Sequence, residues 1–78
     1  MAFLFRSPVG VFVIREKAGR WQLWIDDGLL GSYHSPEAAA DDVRAHVTGW
    51  PEWDERRASP HDPADLSEWE RRPSGAGT

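Results

Sequence analysis

The chain has no cysteine among its 78 residues. That excludes a disulfide staple and a thiolate zinc site, two common supports of very small domains, and it suits the cytoplasmic location expected here. No long apolar run is present, so no membrane span is expected. The opening MAFLFRSPVG lacks both a basic n-region and an extended apolar core, so it does not read as a signal peptide. Basic charge is scarce, with nine Lys and Arg against thirteen Asp and Glu and a net charge of −4. This balance argues against a general nucleic-acid binder and suits a soluble protein or one that meets a basic partner surface. Catalytic signatures are also missing. There is no G-x-S-x-G elbow, Gly10 and Gly19 make no phosphate loop, and so short a chain leaves little room for a concave pocket. Neither an enzyme nor a cofactor is expected.

Aromatic side chains are plentiful. Trp21, Trp24, Trp50, Trp53 and Trp69 accompany Phe3, Phe5, Phe12 and Tyr33. A domain of this length buries only ~60% of its unfolded surface. Each buried aromatic removes roughly 150–250 Å² from water, so a few can replace a larger aliphatic core.

The patterning predicts one α+β domain over residues 1–70. Residues 9–16, VGVFVIRE, are β-branched and aromatic and read as a strand. A turn at 17–20 follows, with Gly19 free to take positive φ. Residues 21–26, WQLWID, form a second strand, with Trp21, Leu23 and Ile25 on one face and Gln22, Trp24 and Asp26 on the other. Asp27-Gly28 is a hairpin signal, and residues 29–33 supply a third strand. The expected sheet is a three-stranded antiparallel meander, with residues 2–5 as a candidate fourth strand at its edge.

A helix is the best-specified element. Ser35 is a good N-cap and Pro36 a good first residue. Glu37, Asp41 and Asp42 favour the positive end of the macrodipole, and Ala38, Ala39 and Ala40 have high helix propensity. Gly49 is the expected stop, with Pro51 beyond it. Ala39, Val43, His46 and Val47 then share one apolar stripe. Farther on, Asp62-Pro63 reads as the start of a short helical turn that docks Leu66 and Trp69 on the sheet. The linker between is polar, and residues 71–78 are expected to be disordered.

The first two strands are apolar on both faces, unlike a sheet with one wet side. The second face is therefore expected to be covered, by the C-terminal segment or by a partner. Trp24 lies on that face. With Trp53 it is a candidate contact residue, since tryptophan is enriched at interface hot spots. Asp42 and His46, at i and i+4, have metal-pair spacing, but two ligands are too few, and a surface ion pair or a core-edge histidine is preferred. Asp26 and Asp27 read as turn residues rather than a catalytic carboxylate pair.

The run W-x-L-x-I, then L-G-x-Y-x-S-P-E-A-A-A-D-D-V, T-G-W and D-L-S-E-W, resembles a group of small bacterial proteins with no assigned activity. More distantly, a meander followed by Gly31-Ser32-Tyr33-His34-Ser35-Pro36-Glu37-Ala38-Ala39 is similar to AP2-type and integrase arm-binding domains. That resemblance implies DNA contact through the sheet face, and Arg15, Lys17 and Arg20 would then meet phosphates. The preferred expectation is instead a non-enzymatic protein-binding module, a small inhibitor or regulator that occupies a basic groove in the manner of anti-CRISPR proteins. Its expected contacts are Trp24, Glu37, Asp41, Asp42 and Trp53. A homodimer formed through edge strands or Trp24 patches is the third reading.

Overall fold

A computed structural model of the chain describes residues 1–73. Residues 74–78 of the expected disordered tail lie outside the described residues. The elements are β1 (Ala2–Ser7), β2 (Gly10–Lys17), β3 (Arg20–Ile25), β4 (Gly28–Tyr33), α1 (Pro36–Arg44), α2 (Pro51–Asp54), a 3-10 turn at Leu66–Glu68 and β5 (Glu70–Arg72). The strands form one antiparallel sheet in the order β4-β3-β2-β1-β5. The fold is α+β, but the sheet has five strands rather than three or four. The N-terminal segment is an inner strand, flanked by β2 and β5. Residues 70–72, two of them in the expected tail, pair with Leu4, Phe3 and Ala2.

The turns follow from local chemistry. Ala18 and Gly19 both take positive φ, 53° and 79°, as a two-residue turn between twisted strands requires. Asp26 also has positive φ, 48°. The β3–β4 loop is therefore Asp26-Asp27, and Gly28 is already in β4. Asp26 extends the β2–β3 ladder by a residue, because its N–H donates to the Val11 carbonyl at 2.9 Å and its carboxylate accepts the Val11 N–H at 3.0 Å. Gly10 has φ 140°, and a Cβ there would lie 2.6 Å from the Asp26 carboxylate.

Helix α1 begins as its sequence indicates. The Ser35 hydroxyl accepts the Ala38 N–H at 3.1 Å, and Pro36 occupies the first turn. Its end differs from expectation. The helix stops at Arg44, and His46 takes φ 57°. The His46 N–H donates to Val43 and the Val47 N–H to Asp42, both at 3.1 Å. This is the paired bonding of a Schellman stop, which usually places glycine in the left-handed position. Here the imidazole compensates for the missing glycine. Its Nδ1 lies 2.8 Å from the Trp53 carbonyl, its Nε2 lies 3.0 Å from the Asp62 carboxylate, and its ring stacks on Trp53 with centroids 4.3 Å apart. Val47 falls beyond the helix and is 60% exposed, so the proposed apolar stripe ends at Val43.

One face of the sheet carries the core. Phe3, Phe12, Ile14, Leu23 and Ile25 pack under Ala39, Ala40 and Val43 of α1, with Trp53, Leu66 and Trp69 closing the layer. The small alanines bring the helix close to the sheet. Trp53 is 1% exposed. It meets Phe12 and Phe5 edge-on and donates its indole N–H to the Val43 carbonyl at 2.8 Å. The short helix α2 that carries it is held by Asp54, whose carboxylate accepts from the Thr48 N–H and hydroxyl and the Gly49 N–H. The C-terminal turn starts at Asp65, whose side chain accepts the Ser67 N–H, rather than at Asp62. Leu66 and Trp69 do dock on the sheet, but on the same side as α1. They do not cover the other face.

Candidate functional site

Strand alternation and register define the outer face. Leu4, Val13, Trp24 and Leu29 stand in one row across β1, β2, β3 and β4, each paired with the next. Leu29 is 53% exposed and Trp24 is half-buried. Of the two covers expected for this face, the C-terminal segment is corrected: among the described residues, every helical element and the C-terminal turn lie on the opposite side.

Cations surround the apolar row. Arg6, Arg15, Lys17, Arg20 and Arg72 share the outer face by register. Against them stand Glu70 on β5 and Asp26 and Asp27 at the β3–β4 turn. The Arg15 guanidinium lies 4.6 Å from the centre of the Trp24 ring, within cation–π distance. The indole N–H of Trp24 donates to the Gln22 side chain at 3.0 Å. Arg20 donates to the Ser32 hydroxyl at 2.9 Å. Arg6 and Arg72 both contact Glu70, whose carboxyl is held below its ordinary pKa by these two hydrogen bonds. A shallow groove of about 150 Å³ opens beside Trp24, lined by Val13, Arg15, Asp26 and Asp27.

The candidate residues therefore divide. Trp24 joins Arg15, Lys17 and Arg20 on one face. Glu37 and Asp41 are exposed on α1, on the other side of the molecule, so they cannot form one contact surface with Trp24. Asp42 is half-buried and accepts the Tyr33 hydroxyl at 2.9 Å. The Tyr33 pKa is pushed up to about 12, by burial first and then by the hydrogen bond and charge of Asp42 and the charge of Asp54. Tyr33 thus stays a neutral donor that ties β4 to the helix. Trp53 is a core residue and presents no contact surface. The Asp42–His46 metal pair does not form, since His46 leaves the helix and turns to Asp62. Among the described residues, no group of three or more His, Asp or Glu is placed to hold a metal ion. Nor is any helix long and apolar enough to cross a membrane.

Two features of the site escaped the sequence reading. Arg6 and Arg72 reach the outer face through the inner position of β1 and its pairing with β5, which no local signal announces. The Arg15–Trp24 contact was legible in principle. Once the 17–20 turn is fixed, Trp24 pairs with Val13 and Arg15 with Gln22, one diagonal step apart. No family model, curated protein or solved structure matches this chain.

Proposed function

We propose that this chain is a non-enzymatic protein-binding module that works through the outer face of its sheet. Support comes chiefly from one observation: an apolar row led by the half-buried Trp24 has no element of the chain over it, among the described residues, on a sheet face where five cations outnumber three carboxylates. An aromatic anchor with arginine beside it is a common energetic centre of protein interfaces. The charge of this face changes the kind of partner it suits. A basic groove would meet arginine here, so the matching partner surface is apolar with an acidic rim. The acidic helix side of Glu37 and Asp41 faces away from such a contact.

Duplex DNA is the second reading, in line with the AP2-type resemblance. It is favoured by the placement of Arg15, Lys17 and Arg20 with Arg6 and Arg72 on one face, where phosphates would lie. The apolar row through the middle favours protein.

The test compares wild type, Trp24→Ala and a Glu37→Lys/Asp41→Lys double variant as bait in the native host, with a low-salt gel shift on duplex DNA and sedimentation of the chain alone. The expected result is a partner lost with Trp24→Ala and kept with the helix variant, without a DNA shift. Equal recovery by all three baits would overturn the reading. Salt-sensitive DNA binding would put the second in its place, and a concentration-dependent dimer lost with Trp24→Ala would make the partner a second copy.

A further inference from the structure

A second site lies on the far side of β1, where the chain returns from α2. Phe5, Arg6, Pro8, Arg56, Arg57, Ser59, His61 and Asp62 line a groove of about 400 Å³. By sequence, the segment from Asp54 to His61 reads as solvated linker. The structure gives it a defined path. The Asp62 N–H donates to the Ser59 carbonyl at 3.0 Å, the Ser59 N–H to the Asp62 carboxylate at 3.1 Å, and the His61 N–H to the Ser59 hydroxyl at 3.1 Å. Asp62 is in turn fixed on His46, whose side chain is only 8% exposed. The loop is pinned to the end of α1 through Asp62, and Arg56 and Arg57 stand exposed on the stretch that leads into it.

Arg56 and Arg57 make no ion pair among the described residues. Arg6 shares its charge with Glu70. The one carboxylate in the wall, Asp62, is already engaged by His46 and the Ser59 N–H. The groove thus offers two uncommitted guanidiniums, a third shared one and an imidazole beside an apolar floor of Phe5 and Pro8. Guanidinium is planar and forked, and it matches phosphate oxygens two at a time. A volume of about 400 Å³ lies in the small-ligand range of roughly 300–1,000 Å³. It exceeds what a bare phosphate would fill.

We infer that this groove binds a small organic phosphomonoester, its dianion between Arg56 and Arg57 and its apolar body on Phe5 and Pro8. The groove shares only Arg6 with the rim of the outer sheet face and none of its apolar row, so its test, read through Arg56 and Arg57, stands or falls independently of the protein-binding reading.

The experiment titrates the full chain with phenyl phosphate, inorganic phosphate and phenol, following backbone amide shifts at low salt. Phenyl phosphate should bind at least about tenfold more tightly than either fragment, a gap of about 1.4 kcal/mol, with shifts centred on Phe5, Arg57, Ser59 and His61. Arg56→Ala/Arg57→Ala should weaken it at least tenfold. Both residues are exposed, and an unchanged melting temperature confirms the fold; Arg57→Gln is the milder check. Arg15→Ala should leave binding as it is. Phenyl phosphate binding no tighter than inorganic phosphate would overturn the assignment, as would shifts centred on Val13 and Trp24 or wild-type affinity in both arginine variants.

Discussion

Two buried tryptophans of nearly equal exposure should respond very differently to the same substitution. Trp53 is 1% exposed and Trp69 is 4% exposed. Both touch Phe5, at centroid distances of 5.7 and 5.6 Å. They differ at one atom. The Trp53 indole N–H donates to the Val43 carbonyl at 2.8 Å, whereas the Trp69 indole N–H is buried without a hydrogen-bond partner. Phenylalanine at either site loses part of the ring volume. This costs about 1–2 kcal/mol, less than half of the ~3–5 kcal/mol of truncation to alanine. At position 53 a hydrogen bond is also lost. The Val43 carbonyl keeps the His46 N–H as a donor, so the extra cost is the net worth of one bond, about 0.5–1.5 kcal/mol, rather than the penalty of an orphaned acceptor. At position 69 the substitution removes a donor already stripped of water, which recovers about 1 kcal/mol of its desolvation penalty. Trp53→Phe should therefore destabilise by about 1.5–3.5 kcal/mol and Trp69→Phe by about 0–1 kcal/mol. Urea unfolding followed by far-UV circular dichroism reads the gap directly. With a slope of about 1–2 kcal/mol/M for so small a protein, the midpoints should separate by about 1–2 M. If Trp69→Phe costs as much as Trp53→Phe, the hydrogen-bond reasoning fails and volume alone governs both sites.

Two further perturbations probe the framework. Burial opposes protonation of His46, but its hydrogen bonds to Asp62 and the Trp53 carbonyl and the charges of Asp62 and Asp54 outweigh it, so the folded pKa is raised. Its contribution to stability is thus complete below the unfolded value near 6.5 and is lost as pH rises through the folded one; Asp62→Asn should flatten that loss in urea midpoints taken from pH 5 to 9, and a wild-type curve rising over that range would refute the assignment. Gly10→Ala should weaken the β1–β2 hairpin and displace Asp26, because its Cβ would meet that carboxylate at 2.6 Å with φ at 140°; a destabilisation of about 1 kcal/mol or more is expected, and an unchanged melting temperature would show that the turn relaxes freely.

The parts of this fold that local physics governs were legible in the sequence. Ser35 and Pro36 fixed the start of α1, Ala18-Gly19 the β2–β3 turn, and the alternation in WQLWI separated Trp24 from Leu23 and Ile25. Where distant residues decide, the reading failed. The end of α1 depends on a histidine whose two ring nitrogens find Trp53 and Asp62, seven and sixteen residues later in the chain, so the stop came before the glycine that advertised it. Glu70–Arg72 is too polar to read as a strand, yet as a three-residue edge it needs only backbone pairing with β1 and contributes little side-chain burial. Trp53 was a contact candidate by residue type alone, and its charged neighbours Glu52 and Asp54 give no local sign of its burial. One turn of helix aims it inward while Asp54 turns back to hold the Thr48-Gly49 loop. The site divided in the same manner. Trp24's face was visible in the strand period, but the side on which Leu66 and Trp69 would dock was not.

A net charge of −4 was a poor guide to the partner because the charges are segregated across the sheet. Arg6, Arg15, Lys17, Arg20 and Arg72 outnumber Glu70, Asp26 and Asp27 on one side, while Glu37, Asp41, Glu52 and Glu55 help make the layer behind it acidic despite Arg44, Arg56 and Arg57. The shortest dimension of the molecule is 20 Å, and the Debye length at physiological salt is about 8 Å. A partner approaching the outer face at that salt therefore meets the local arginines, while the acids behind are screened over more than two Debye lengths. At about 0.01 M salt the Debye length grows to about 30 Å, and the same partner senses the whole molecule, whose net sign is negative. The usual gain in association rate at low ionic strength should thus be blunted for an acidic partner of this face. Neutralising two acids on the distant α1 surface, Glu37→Gln with Asp41→Asn, halves the net charge of −4 and should recover part of that gain without touching the interface.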